Sequence, residues 1–197
     1  IQFYNSLPRG RIRLKISVAI ITLDAAGELD RALASVAFAD EERGFVGTVF
    51  SRDPQGQRVL FETQDGGETW EDATWRIIGP RPSGICGMWA VDEYVIYGVG
   101  AFHGDPVLIK TFNGGDEWIA TRLDGVAAAL IDVVFVDENV GFLTGGTGGS
   151  LDGNAVVLRT DDGGLTWTKV HETQKTDDVN GEWGWKITFP TPDVGYV

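Results

Sequence analysis

Four side chains in long, glycine- and proline-rich stretches carry most of the chemistry this sequence offers to a ligand: Trp75, Arg81, His103 and Trp183. A guanidinium such as Arg81, set in Gly79-Pro80-Arg81-Pro82-Ser83, matches a carboxylate with two parallel hydrogen bonds, although a charge between prolines also does well in plain water. An indole such as Trp183, in Gly181-Glu182-Trp183-Gly184-Trp185, stacks on a sugar ring or a peptide, or else packs beneath its own loop. His103, in Ala101-Phe102-His103-Gly104-Asp105-Pro106, offers proton transfer or ligand contact, with a solvated loop histidine as the alternative. The acidic group Asp177, Asp178 and Glu182 lacks the alternating ligands and central glycine of a calcium loop.

Several chemistries have no support. The two histidines, His103 and His171, form neither H-x-x-x-H nor H-E-x-x-H, and Cys86 is the single cysteine, so a zinc enzyme, a cysteine-based metal site and a disulfide framework are not expected. No nucleophile sits beside a base at a recognisable spacing, so no catalytic residue, metal or cofactor is assigned. With 29 Asp and Glu residues, some pair will face any central opening at the roughly 5–10 Å that glycoside hydrolysis uses, and no spacing singles one out. Those acids against 16 Lys and Arg give a formal charge of −13, which disfavours a nucleic-acid partner. The bases Arg9, Arg11, Arg13 and Lys15 are concentrated at the start, with no acid among residues 1–15. No apolar run is long enough to cross a bilayer as a helix.

The elements that must position these residues are announced by a repeated turn. Thr63-Gln64-Asp65-Gly66-Gly67-Glu68-Thr69-Trp70 returns as Thr111-Phe112-Asn113-Gly114-Gly115-Asp116-Glu117-Trp118 and again as Thr160-Asp161-Asp162-Gly163-Gly164-Leu165-Thr166-Trp167. A short Asx side chain bonds amides of its own turn, the glycines supply positive φ, and the tryptophan plugs the turn from below. Thr63, Asp65, Gly67 and Trp70, with Thr111, Asn113, Gly115 and Trp118 and with Thr160, Asp162, Gly164 and Trp167, are therefore read as structural. The tryptophans are 48 and 49 positions apart, the length of one four-stranded blade.

Around each box the same order recurs: an apolar strand ending in an aromatic, a second strand seven residues on (Phe45, Ile96, Phe142, Tyr196), a variable loop, then a β-branched strand such as Val156-Val157-Leu158. The fold class is all-β: a β-propeller of four-stranded antiparallel blades with Asp-box hairpins, present as an incomplete arc of about three to four blades. Residues 1–34 are left unassigned, though 24–33 have a helix-like composition; the arc covers 35–197, with blades near 35–75, 84–120, 130–170 and 185–197. An open β-sandwich is the alternative. Because antiparallel strands alternate ends, the box and the first-to-second loop share one face. The loops at 48–57, 99–106 and 145–154 and the links at 75–84 and 171–184 take the other, and bring Trp75, Arg81, His103 and Trp183 to it.

The pattern T-x-D-x-G-x-T-W in the first and third copies resembles the Asp box of the bacterial neuraminidase repeat. Coupled to aromatic-x5-Gly-aromatic, as in Phe135 to Phe142, it looks most like the photosystem II assembly and stability factor family and its non-photosynthetic bacterial relatives. That resemblance implies a seven-bladed, non-catalytic propeller that binds a polypeptide, although the acidity of this chain departs from a basic binding patch. Asp boxes also occur in sialidases, in xyloglucan-cutting enzymes and in sortilin-type receptors. The F/Y-R-I-P segment of a sialidase is not present in these residues, and Arg81-Pro82 does not substitute for it. The expected function is a binding or assembly propeller for a polypeptide or a glycan, with a glycoside hydrolase or sialidase-like protein as the alternative. The chain lacks an initiator Met and stops within a repeat at Gly195-Tyr196-Val197, so it reads as part of a longer, exported protein. Lys15 and the apolar residues 16–23 faintly resemble a signal segment.

Overall fold

A computed structural model describes residues 33–48, 58–100, 105–148, 153–174 and 181–197. The segments expected to be helix-like or signal-like, the acids Asp177 and Asp178, and His103 lie outside them. The described chain is strand and turn, with a single 3-10 turn at Thr74–Arg76.

The first blade consists of β1 (Leu33–Phe38), β2 (Gly44–Thr48), β3 (Leu60–Thr63) and β4 (Glu71–Asp72) in that spatial order. From Thr74–Arg76 the chain enters β5 (Ile77–Ile78), then β6 (Gly87–Ala90), β7 (Ile96–Gly100), β8 (Val107–Thr111) and β9 (Trp118–Arg122). The third blade is β10 (Ala129–Phe135), β11 (Gly141–Gly146), β12 (Ala155–Thr160) and β13 (Thr168–Glu172); β14 (Thr188–Thr191) and β15 (Val194–Tyr196) form a hairpin. The four repeating strands of each blade run antiparallel and follow chain order from the innermost outward. The result is an incomplete arc of a β-propeller.

Blades bury their apolar faces on one another. Between the first two, Phe45 meets Trp118 edge-on at 5.2 Å, amid Leu60, Ile85, Ile96 and Ile109. Between the second and third, Tyr97 stacks on Phe135 at 4.0 Å, beside Leu130, Leu143, Leu158 and Trp167. Aromatic pairs like these add to ordinary apolar burial because ring edges and faces carry opposite partial charge.

Two details differ from the pattern read in the residues. Phe38 pairs with Gly44 and Phe135 with Gly141, but in the second blade it is Ala90 that pairs with Ile96. The seven-residue step therefore runs from Ala90 to Tyr97, one position later than Trp89 to Ile96, and Tyr97 holds the place of Phe45 and Phe142. Side chains alternate between sheet faces, so a one-residue frame decides which one reaches the next blade. Secondly, the link after the first box does not stay a loop: Ile77 and Ile78 pair in parallel with Trp118 and Ile119, which gives the second blade a fifth, outermost strand.

The inner strands are joined by a polar rung. Three residues before the paired ends Phe38, Ala90 and Phe135 stand Ser35, Gly87 and Asp132. Ser35 Oγ accepts the Met88 N–H at 2.8 Å, and Asp132 Oδ2 accepts the Ile187 N–H at 3.1 Å. At the middle position there is no room for a side chain: a Cβ on Gly87 would sit 2.7 Å from Cα of Asp132.

Candidate functional site

The best-defined polar geometry lies in the box turns. Thr63 Oγ1 accepts the Gly67 N–H at 2.8 Å and donates its hydroxyl to Asp65 Oδ1 at 2.8 Å. Asp65 in turn accepts the Thr69 N–H at 2.9 Å and the Thr69 hydroxyl at 2.6 Å. Thr160, Asp162 and Thr166 repeat every one of these bonds. In the middle copy Asn113 accepts from the Thr111 hydroxyl at 2.9 Å and from the Glu117 N–H at 3.1 Å. Gly66 and Gly67 have φ of 71° and 94°, and the equivalent pairs at 114–115 and 163–164 match them. Donation from the Thr69 and Thr166 hydroxyls, and then from their amides, lowers the Asp65 and Asp162 carboxyls to about 2. Held as anions at neutral pH, these acids are acceptors that close turns and cannot serve as general acids.

The same end of the molecule locks neighbouring blades. Gly66, Gly114 and Gly163 donate their amides to Glu42, Tyr94 and Asn139 in the first-to-second turns of their own blades. Glu62, buried, receives Arg43 Nε at 2.7 Å and Arg76 Nη1 at 2.8 Å. Arg43 also reaches Asp116 at 2.8 Å and Arg76 the Gly115 carbonyl at 3.0 Å, both in the second box. Across the next interface the Tyr97 hydroxyl and Lys110 Nζ each donate to the Gly163 carbonyl at 2.7 Å. Burial pushes the Tyr97 phenol up, and desolvation lowers the Lys110 ammonium against an opposing pull from Asp162.

The opposite end is the candidate binding face, where the links return to the inner strands. Trp183 is 8% exposed and packs with Ala129 and Ile131 next to Gly146. Its link is pinned by Gly184, whose amide donates to the Gly145 carbonyl and whose carbonyl accepts the Thr144 hydroxyl. Trp185, 5.7 Å from it, is 55% exposed and offers the free ring of this pair. Arg81 is exposed on the first link. Trp75, on the same link, is 69% exposed with the Arg76 guanidinium 5.2 Å from its ring. Because Ile77 then pairs with Trp118, directly after the second box turn, and Arg76 reaches the Gly115 carbonyl in that turn, Trp75 stands at the outer edge toward the box end, away from Trp183. Sequence reasoning overlooked Trp185 and Tyr97. The first stands two positions after Trp183 in Trp183-Gly184-Trp185; the second was hidden by the one-residue frame of its blade. Among the described residues no three His, Cys, Asp or Glu side chains are grouped as a metal site would require, and no helix is long and apolar enough to cross a membrane.

No family model matches the chain, and no curated protein matches it. Solved structures do. One described as YCF48 bound to D1 peptide superposes with a TM-score of 0.50 at 19% identity, over 71% of this chain and 40% of that one. A GH74 xyloglucanase from Xanthomonas campestris gives 0.50 at 17% identity, over 71% of this chain and 21% of its own. At such identities the likeness is one of fold, and this chain spans less than half the length of either protein.

Proposed function

We propose that this chain is part of a binding propeller that holds a polypeptide on its loop face without turning it over. The observation that supports the reading best is the use made of its fixed carboxylates. Asp65 and Asp162 close turns, Glu62 is held between two guanidinium groups, and Asp132 accepts Lys186 Nζ and the Ile187 N–H. These acids are committed to the scaffold, while Arg81 and Trp185 stand exposed on the described links. YCF48, which shares the fold, is described with a bound peptide; a glycan on the same face is the second ligand class this mix of side chains suits. Trp75, Arg81, His103 and Trp183 stay as the proposed binding residues. In this reading Trp183 positions its link, and Trp185 supplies the ring that meets the ligand. As part of the same proposal the protein works outside the cytoplasm.

A glycoside hydrolase is the competing reading, favoured by the fold it shares with the xyloglucanase. The test sets a panel of glycosides and a glycan array against pull-down from the exported proteome. A captured polypeptide whose affinity falls by about 1–2 kcal/mol in Arg81→Ala and in Trp185→Ala is the expected result. Hydrolysis that disappears on changing one Asp or Glu of the loop face overturns it.

A further inference from the structure

The clefts between the outer strands of neighbouring blades are not filled alike. In the first cleft the wall from blade one carries Glu62 and, opposite it on β4, Glu71. The other wall carries Trp118 and Ala120, and the link fills the space with Ala73 and Ile77 packed against them. Arg76 brings the matching charge to Glu62 at 2.8 Å. The extended link meanwhile covers the outer edge of β9.

The second cleft has similar walls lined by lysine in place of glutamate, and its link adds Leu123, Val126 and Ala127 to the core between the blades but supplies no outer strand. Cross-strand partners share a sheet face, so Tyr97, Lys110 and Ile119 form one row, which β5 extends with Ile78. That row faces the third blade, since both Tyr97 and Lys110 reach the Gly163 carbonyl. Ile119 and Ile78 nonetheless remain 42% and 52% exposed. On the facing wall Lys169 is paired with Leu158, which belongs to the core between these two blades, and so looks into the same cleft, where its ammonium also forms an ion pair with Glu172 at the strand's end. The link between these blades is short: Leu123 donates its amide to Pro106 and Val126 to Leu123, and Ala129 already begins β10. Among the described residues no strand pairs with the outer edge of β13.

We propose that this second cleft is a docking site for an extended segment of a partner polypeptide, which adds in parallel to the outer edge of β13 as β5 adds to β9. The molecule's own first cleft supplies the register and the chemistry. An apolar residue stands opposite Trp167, where Ile77 stands opposite Trp118, and its side chain turns toward Ile119 and Ile78 of the preceding blade. The residue before it is acidic, because Lys110 and Lys169 replace Glu62 and Ala120. Main-chain bonds provide affinity in such strand addition, and alternate side chains provide specificity. This site stands apart from the loop face, and neither proposal depends on the other.

The test uses the whole chain and two synthetic peptides: residues 73–80 as they stand, and the same peptide with Arg76→Glu. Binding is read by fluorescence polarisation, and its position by hydrogen exchange across residues 168–172. The acidic peptide should bind at least about tenfold more tightly than the basic one and protect the β13 amides. Ile119→Asp, at an exposed position, should abolish binding with the melting temperature unchanged, and Lys169→Glu should reverse the preference between the peptides. No binding up to millimolar peptide, protection elsewhere than β13, equal affinity for both peptides, or binding indifferent to Ile119→Asp each overturn the proposal.

Discussion

Asp162 shows how a single carboxylate reports on its turn. Its acceptor bonds exist for the anion, so its folded pKa falls from the ordinary 3.8 to about 2. A depressed carboxyl contributes stability that is fully present above the ordinary value and is lost as pH falls through the folded one. Acid unfolding should therefore steepen between those limits, and Asp162→Asn should flatten it, with variant and parent converging below the lower limit; thermal melts against pH measure this. Asn113 is the internal precedent for that substitution, keeping the Oδ1 bonds with Glu117 in place of the threonine. Two further substitutions separate polar from apolar contributions. Thr160→Val, at a buried position, leaves the Gly164 amide and Asp162 each short of a partner and should cost about 1–3 kcal/mol. Trp118→Ala empties a fully buried ring site and should cost about 3–5 kcal/mol in denaturant titration. These residues were legible in the sequence because each bond in the turn is local, within four positions.

At the scale of elements, the strands, their order and the pairing of box with first-to-second turn were legible. The frame of the second blade was not. Trp89 is the larger aromatic and suggests itself as the strand's end, but Ala90 is what pairs with Ile96. Register is decided by which face must be buried, and here Tyr97 has to reach Phe135 and the Gly163 carbonyl. Tyr97→Phe tests this. The stack stays and Lys110 still satisfies the carbonyl, so the expected cost is only about 0.5–1.5 kcal/mol in thermal unfolding. The β5 addition was equally hidden, because Arg76-Ile77-Ile78-Gly79 carries no alternation and its partner lies 41 residues on. Of the candidate site, the glycine-rich links were legible as places. The burial of Trp183 and the exposure of Trp185 depend on Gly145 and Thr144 from another strand, which no local pattern encodes.

Across the whole molecule, cohesion depends on what crosses from blade to blade. Glu62 is 4% exposed and ties Arg43, itself bonded to Asp116 of the second blade, to Arg76. Removing it takes one anionic partner from each of two half-buried guanidinium groups, which keep Asp116 and the Gly115 carbonyl, so Glu62→Ala should destabilise by about 3 kcal/mol. Loss of cooperativity in calorimetry would mark uncoupling of the first blade from the second. The next interface uses a phenol, an ammonium and one carbonyl for the same task, so the two joints differ in charge although the blades repeat.

The inner rung has a direction, and direction along a chain is also order in time. Ser35 waits for an amide fifty-three residues later and Asp132 for one fifty-five residues later. On a ribosome the acceptor always emerges first. The first and third blades thus each emerge with one polar group unanswered until a later segment arrives to answer it, while the second, with Gly87, carries none. At those two joints the acceptor is already in the chain when the segment that donates to it is made.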